Sequence, residues 1–127
     1  MRRDAGTFMD EYFRHLSGPD VLNQFQHDYA AYIAYYGKAV DRDVVLQEKA
    51  RFVRRWPQRS YRPRPGSIGI SCVDGEDKLC QVSGLVEFEC RSPERHAVST
   101  GVARFDATVW FGEHGPQIIG EASEVIG

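Results

Sequence analysis

The sequence predicts an α+β domain in which three helices pack on one face of a curved, mostly antiparallel sheet, in the order α-α-β-α-β-β-β-β. Apolar residues recur at helical spacing before Pro57, whose ring ends a helix. After Pro65 and Gly66 they alternate with polar residues, as in strands with one buried face. A chain of 127 residues with 42% hydrophobic content suits one core, so residues 1–127 are predicted to form one domain.

The first two helices follow from apolar spacing and from signals at their ends. The first is predicted over residues 5–17, because its apolar stripe stops before Gly18. Asp20 is a candidate N-cap for the second helix, which we expect to end near Tyr29 or Ala30. Together these helices supply one apolar layer.

A short strand and a third helix follow. Residues 31–36 are rich in aromatics and precede Gly37, which favours a strand. The third helix is predicted from Asp41 to Arg55, with Asp41 as its N-cap. Its acidic start and basic end complement the helix dipole.

Four strands fill the rest of the chain, and their apolar faces set the register of three hairpins. The strands are predicted over residues 67–73, 79–91, 97–111 and 117–126. The first hairpin turns at residues 74–78. The predicted pairs in the first hairpin are Ile68–Gly84, Ile70–Val82 and Cys72–Cys80. Those in the second are Val86–Ala103, Gly84–Phe105, Val82–Ala107 and Cys80–Val109. Those in the third are Phe111–Gln117, Val109–Ile119, Ala107–Glu121, Phe105–Ser123 and Ala103–Val125. This register places Glu121 on an otherwise apolar face.

Charge and composition argue against several function classes. The net charge is -2, yet the segment from Lys49 to Arg64 is basic and contains no acid. Such a block can bind nucleic acid, but no nucleic-acid motif accompanies it, so a solvated helix end is favoured. No apolar run approaches the ~20 residues that cross a bilayer. The spacing of the four histidines matches no metal site, and neither a metal nor a cofactor is expected.

The cysteines leave two alternatives open. Cys72 and Cys80 are predicted cross-strand neighbours and can form a disulfide. Alternatively, all three thiols are reduced and buried, with Cys90 acting as a small hydrophobe. The disulfide is favoured, and with it a periplasmic or exported protein over a cytoplasmic one.

Three segments carry a family resemblance: Tyr29-x-x-Tyr32-Ile33-x-Tyr35-Tyr36-Gly37-Lys38, Glu48-Lys49-x-x-Phe52 and Arg55-Trp56-Pro57-x-Arg59-x-Tyr61. They resemble an uncharacterised bacterial branch of the nuclear-transport-factor-2-like (cystatin-like) superfamily. That superfamily is a cone-shaped α+β fold shared with ketosteroid isomerase, scytalone dehydratase and the SnoaL cyclases. The resemblance covers nearly the whole chain. It implies the fold but leaves function open, since the same cone hosts enzymes, binding modules and assembly domains.

The resemblance implies that, in an enzyme of this superfamily, an acid or a histidine with tyrosine partners transfers a proton inside the cone. If the chain is an enzyme, Glu121 or Asp28 is the candidate base and Tyr32 or Tyr36 the proton donor. A carboxyl among apolar side chains has its charged form disfavoured, which suits acid–base work. The candidate pocket residues are Tyr32, Tyr36, Trp56, Arg59, Tyr61, Phe105 and Glu121.

The alternative for Glu121 is a structural role. It could form a buried pair with Arg59 or Arg55, or accept a hydrogen bond from a tyrosine. This structural alternative is favoured over a catalytic one.

The outer face of the sheet predicts self-association. It mixes charged residues with the apolar residues Leu79, Leu85, Val102, Trp110 and Ile118. A partly apolar face tends to be covered, and related folds often pair through their sheets. We therefore expect a homodimer through this face, with Arg104 and Glu124 as a cross-strand pair at its edge.

Three functions follow from these observations. The first is a non-catalytic module that binds a small hydrophobic or aromatic ligand or a protein partner, such as an accessory domain of a longer protein. It is preferred because no catalytic constellation is evident. The alternatives are a small isomerase, dehydratase or cyclase, and a structural dimerisation domain.

Overall fold

Three helices and a seven-stranded sheet make up the computed structural model, which describes residues 1–73, 75 and 78–127. The helices are α1 (Arg2–Leu16), α2 (Val21–Asp28) and α3 (Arg42–Arg55). The strands are β1 (Tyr29–Tyr35), β2 (Lys38–Asp41), β3 (Gln58–Pro63), β4 (Gly69–Val73), β5 (Leu79–Ser92), β6 (Ala97–Gly112) and β7 (Gly115–Val125). The predicted α+β class and chain order are confirmed. Most of the predicted first turn, namely Asp74, Glu76 and Asp77, lies outside the described residues.

The sequence did not predict β2 and β3, and their position explains why. The sheet order is β2-β1-β7-β6-β5-β3, with β4 pairing to β5 beside this path. The two missed strands are therefore the two ends of this path, where short, polar and half-exposed segments show no apolar alternation. Between β1 and β2, Tyr36 and Gly37 adopt positive φ angles of 53° and 81°, which suits a tight hairpin.

The predicted register is confirmed in the first two hairpins, where Ile70 faces Val82 and Gly84 faces Phe105. Ile68 lies just before β4. Asp41 is confirmed as the N-cap of α3, since its side chain accepts a hydrogen bond from the backbone of Val44.

In the third hairpin, the predicted pairs at the start of β7 were wrong. The turn is shorter than predicted, because Gly112 already pairs with Gly115. Val109 therefore faces Ile118 instead of Ile119, and Trp110 rather than Phe111 faces Gln117. As a result Ile118, predicted on the outer face, is fully buried in the core. A β-bulge then restores the predicted register, so that Glu121 does pair with Ala107, Ser123 with Phe105 and Val125 with Ala103.

The core lies between the helices and the concave face of the sheet. Its fully buried side chains come from both layers, including Phe25 and Val45 from helices and Val82, Val109 and Ile118 from strands. Among the described residues, no helix is long and apolar enough to span a bilayer.

The cysteines sit where the register predicted. Cys72 and Cys80 face each other with their Cα atoms 4.0 Å apart and are joined as a disulfide in the structure. Cys90 is buried and free.

Candidate ligand-binding site

A cavity of about 300 Å³ opens between the helices and the concave face of the sheet. This volume lies at the lower end of the range of roughly 300–1,000 Å³ typical of small-molecule sites. Its walls are mainly apolar and come from α1, α3, β5 and β6: Met9, Phe13, Leu16, Phe52, Val86 and Phe105. The helices and the inward residues of the sheet therefore form one apolar chamber.

Four polar side chains meet at one side of this cavity. Lys49 Nζ lies 2.9 Å from Glu121 Oε2, and the hydroxyl of Tyr29 donates a hydrogen bond to Glu121 Oε1. The hydroxyl of Tyr12 lies 3.3 Å from the same Oε1 and 2.8 Å from the Tyr29 hydroxyl. We call these four residues the polar centre. Both oxygens of the carboxylate have donors.

The packing of the surrounding elements fixes the polar centre. Tyr12 projects from the apolar face of α1, where its ring stacks on Phe25 with centroids 4.9 Å apart. Tyr29 is the first residue of β1 and is fully buried. Lys49 follows the fully buried Val45 by one helical turn of α3, so its stem enters the apolar layer.

Electrostatics keep these groups in defined protonation states. Burial lowers the pKa of Lys49, but the Glu121 carboxylate opposes this and holds that pKa well above its usual value. Burial, reinforced by the same carboxylate, raises the pKa of both Tyr12 and Tyr29. At neutral pH the lysine is therefore a cation and the two phenols keep their protons, so all three can donate to Glu121.

Four of the sequence-predicted pocket residues line the cavity. Tyr61, Phe105 and Glu121 contribute to its walls, and Tyr36 stands at its mouth. Tyr36 is 50% exposed, and its hydroxyl lies 2.8 Å from Ser123 Oγ on β7. The β1–β2 hairpin and β7 thus meet at the entrance.

The other three predicted pocket residues lie elsewhere. Tyr32 is 77% exposed because it points away from the helices, and Tyr35 lines the cavity instead. Trp56 caps the end of α3, where its ring lies 4.7 Å from the guanidinium of Arg95. Arg59 is buried and donates at 2.7 and 2.6 Å to backbone carbonyls at the C-terminal end of α1. Trp56 and Arg59 therefore pack at helix ends, Tyr32 lies on the surface, and none of the three lines the cavity.

Asp28, the second candidate base, is not among the residues that line the cavity. It is buried at the end of α2, with Oδ2 3.4 Å from His15 Nδ1. Burial raises the pKa of Asp28, although the neighbouring His15 opposes this. The structure thus keeps this acid apart from the polar centre.

Sequence reasoning missed three members of the polar centre. Tyr12 and Tyr29 were assigned to apolar stripes, and Lys49 to a solvated basic block. The sequence did contain a signal, because two charged residues interrupt apolar faces. Lys49 lies between Val45 and Phe52 on the inner face of α3, and Glu121 lies on the inner face of β7. A cation and an acid that both interrupt apolar faces are candidates for each other's partner.

No protein-family model matches this sequence, and no curated protein matches it. Solved structures do. A proposed dehydratase of the nuclear-transport-factor-2-like family from Streptomyces avermitilis has a TM-score of 0.81 and 10% identity, covering 98% of this chain and 96% of that one. An uncharacterised Caulobacter vibrioides protein with a cystatin-like fold has a TM-score of 0.75 and 9% identity over 98% and 89% of the chains. A proposed calcium/calmodulin-dependent protein kinase II association domain from Xanthomonas campestris has a TM-score of 0.74 and 14% identity over 98% and 86%.

These matches define the class of protein by its fold. The chain has the nuclear-transport-factor-2-like, cystatin-like cone, as the sequence resemblance implied. Identities this low establish the fold alone, so the function must be argued from the polar centre and the walls around it.

Proposed function

We propose that this domain binds a small, mostly apolar molecule inside the cone and does not convert it. The hydrogen bonds that Glu121 already accepts are the main support for this proposal. Its carboxylate accepts from Lys49 on one oxygen and from Tyr29 and Tyr12 on the other. A base must give up such hydrogen bonds before it takes a proton from a substrate, which makes this carboxylate a poor one.

The walls support a flat ligand. The rings of Phe13 and Phe105 meet at 4.8 Å, and the ring of Tyr61 lies 6.4 Å from Phe13 and 6.3 Å from Phe52. Aromatic walls gain from stacking and edge contacts with a ring. A small hydrophobic or aromatic compound therefore fits the chamber.

Thermal denaturation with and without naphthalene-sized aromatics tests this proposal. A ligand at 100 times its Kd should stabilise the fold by about 2.7 kcal/mol. Ala103→Phe should fill the cavity and abolish the stabilisation, while Thr100→Phe, on an exposed position of the same strand, should preserve it. The proposal fails if no compound stabilises the unmodified chain more than the Ala103→Phe variant.

A small isomerase, dehydratase or cyclase is the second candidate. Two neutral phenols beside a carboxylate can donate protons, and one similar structure is described as a proposed dehydratase. In this case a bound compound should exchange a carbon-bound proton with deuterated solvent, or form product. Glu121→Gln should then abolish turnover while the protein stays folded. Binding without exchange supports the non-catalytic module.

We also propose a homodimer through the outer face of the sheet, which would serve either function or a purely structural one. Trp110 is 38% exposed on this face, and Arg104 pairs with Glu124 at 2.8 Å. A proposed association domain among the similar structures is consistent with self-association. Light scattering at micromolar concentration should report twice the chain mass, and Trp110→Glu should halve it. A monomeric unmodified chain contradicts the proposal.

The oxidation of Cys72 and Cys80 in the cell is a further part of this proposal, together with an exported or periplasmic location. In the chain-entropy model, closing so short a loop contributes about 2–3 kcal/mol. Protein purified without reductant and then unfolded should show one reactive thiol, from Cys90. Three reactive thiols would reject the bond and remove the argument for export.

A further inference from the structure

We propose that the cavity selects uncharged ligands that carry a hydroxyl group and rejects carboxylates of the same size. This inference rests on the proposed ligand-binding function and names its ligand class. The hydroxyl would lie between Lys49 and Glu121, accepting a hydrogen bond from Nζ and donating one to Oε2.

The balance of charge disfavours an anion. Of the charged side chains lining the cavity in the described part of the chain, Lys49 is the cation, and Glu48, Asp106 and Glu121 are acids. The charge of Lys49 is already matched by Glu121 at 2.9 Å. An incoming carboxylate would lose its water and meet Glu121 beside the only cation available to it. Its desolvation would be left largely uncompensated.

The inventory of donors and acceptors favours a hydroxyl. An ammonium group has three donors, and in the described residues one of them is used, by Glu121. Oε1 receives two donors and Oε2 one, so among the described residues Oε2 can accept one more hydrogen bond. A hydroxyl both donates and accepts, and so satisfies both groups. A carbonyl can satisfy the lysine alone.

The pair is also reachable from the cavity. The side chains of Lys49 and Glu121 keep 16% and 12% of their exposure, and both line the chamber. The neighbouring Tyr29 is fully buried and does not line it. A pair that only stabilised the core would have no need of this access, whereas a binding group requires it.

Calorimetric titration of the whole chain at neutral pH with three probes of one skeleton provides the test. The probes are 2-naphthol, 2-acetylnaphthalene and 2-naphthoate. We expect 2-naphthol to bind at least tenfold more tightly than 2-naphthoate, with the ketone between them. Glu121→Gln frees the charge of Lys49 and should reverse the order, strengthening 2-naphthoate at least tenfold. Glu94→Gln, at an exposed position outside the cavity lining, is the matched control and should leave the order unchanged.

A second variant keeps the test decisive if Glu121→Gln does not fold. Lys49→Met combined with Glu121→Leu replaces the pair by apolar groups, which folds tolerate well, and should make 2-naphthol bind no better than 2-acetylnaphthalene. Equal or tighter binding of 2-naphthoate by the unmodified chain overturns the charge selectivity alone. Failure of all three probes to bind overturns the ligand-binding function as well.

Discussion

Two cations that point into this molecule, the buried Arg59 and the part-buried Lys49, illustrate different environments for positive charge. Arg59 is 8% exposed and donates to four backbone carbonyls, those of Leu16, Trp56, Pro57 and Gly18. Its planar fork makes four hydrogen bonds to peptide groups and ties the end of α1 to the start of β3. Lys49 instead has a side-chain partner and faces a cavity. Hydrogen bonds to peptide groups make Arg59 a structural cation, whereas the partial exposure of Lys49 beside a cavity is what our proposal of ligand binding depends on.

Arg59→Met should produce the largest loss of stability. It would leave four carbonyls without their donor, two at the end of α1 and two just after α3, and we expect a loss of about 4 kcal/mol in the free energy of unfolding. Arg59→Lys should recover little, because one ammonium cannot reproduce the fork. Urea denaturation measures both. Arg55→Met, on an exposed neighbour, is the control. A small loss in Arg59→Met would show that the carbonyls find other donors.

Lys49→Met should destabilise the fold by about 3 kcal/mol, because it leaves the part-buried Glu121 carboxylate without a cation. Adding Glu121→Leu should restore most of that loss, which distinguishes the pair from Arg59. No single second substitution can repair Arg59, because its partners are backbone groups. Denaturant titration of both variants measures the difference. If the double variant is as unstable as Lys49→Met, the pair contributes more than charge compensation.

The pH dependence sharpens the same comparison. The pKa of Lys49 is raised in the folded state from its ordinary 10.5, and those of Tyr12 and Tyr29 from 10.0. Groups that bind their protons more tightly when folded stabilise the fold fully below the ordinary values and lose this contribution as the pH rises further. Stability should therefore fall above pH 10.0, less steeply in the Lys49→Met, Glu121→Leu variant. If the stability of the unmodified chain and of the double variant fell equally steeply with pH, Glu121 would not be what raises these pKa values.

The sequence predicted the acid of this site better than its partners. Apolar alternation placed Glu121 opposite Ala107, which the structure confirms despite a bulge that the alternation could not reveal. The partner cation depended on which face of α3 packs inward, and the chain separates the two residues by 72 positions. The local sequence pattern made Arg59 and Arg55 equally plausible partners of Glu121. Long-range packing, not residue type, selected Lys49.

The tyrosines show how a small boundary error changes a site. The second helix was predicted to end near Tyr29 or Ala30, but it ends at Asp28, and β1 begins at Tyr29. This boundary sets which side chains of β1 point inward. Tyr29 and Tyr35 therefore face the core and the cavity, whereas Tyr32 faces solvent. Alternation has a period of two, so such a slip exchanges the two faces of a strand.

Substituting single hydroxyls should give the smallest effects and test this assignment of faces. Tyr29→Phe removes a donor to Glu121 Oε1 and should cost about 1–2 kcal/mol, since the buried carboxylate keeps Tyr12 and Lys49 as donors. Tyr32→Phe is the matched control on the same strand. Its hydroxyl belongs to a side chain that is 77% exposed, so its loss should cost less than about 0.5 kcal/mol.

Urea denaturation of the two phenylalanine variants, measured side by side, separates these expectations. The fold is otherwise unchanged, because each substitution removes one oxygen and keeps the ring that packs. Tyr29→Phe should also weaken the binding of 2-naphthol less than Lys49→Met does, since the Tyr29 hydroxyl contacts the carboxylate, whereas in the proposed binding mode Lys49 contacts the ligand. Equal costs for the two substitutions would mean that the Tyr29 hydroxyl does not hold Glu121, and that Lys49 and Tyr12 position the acid.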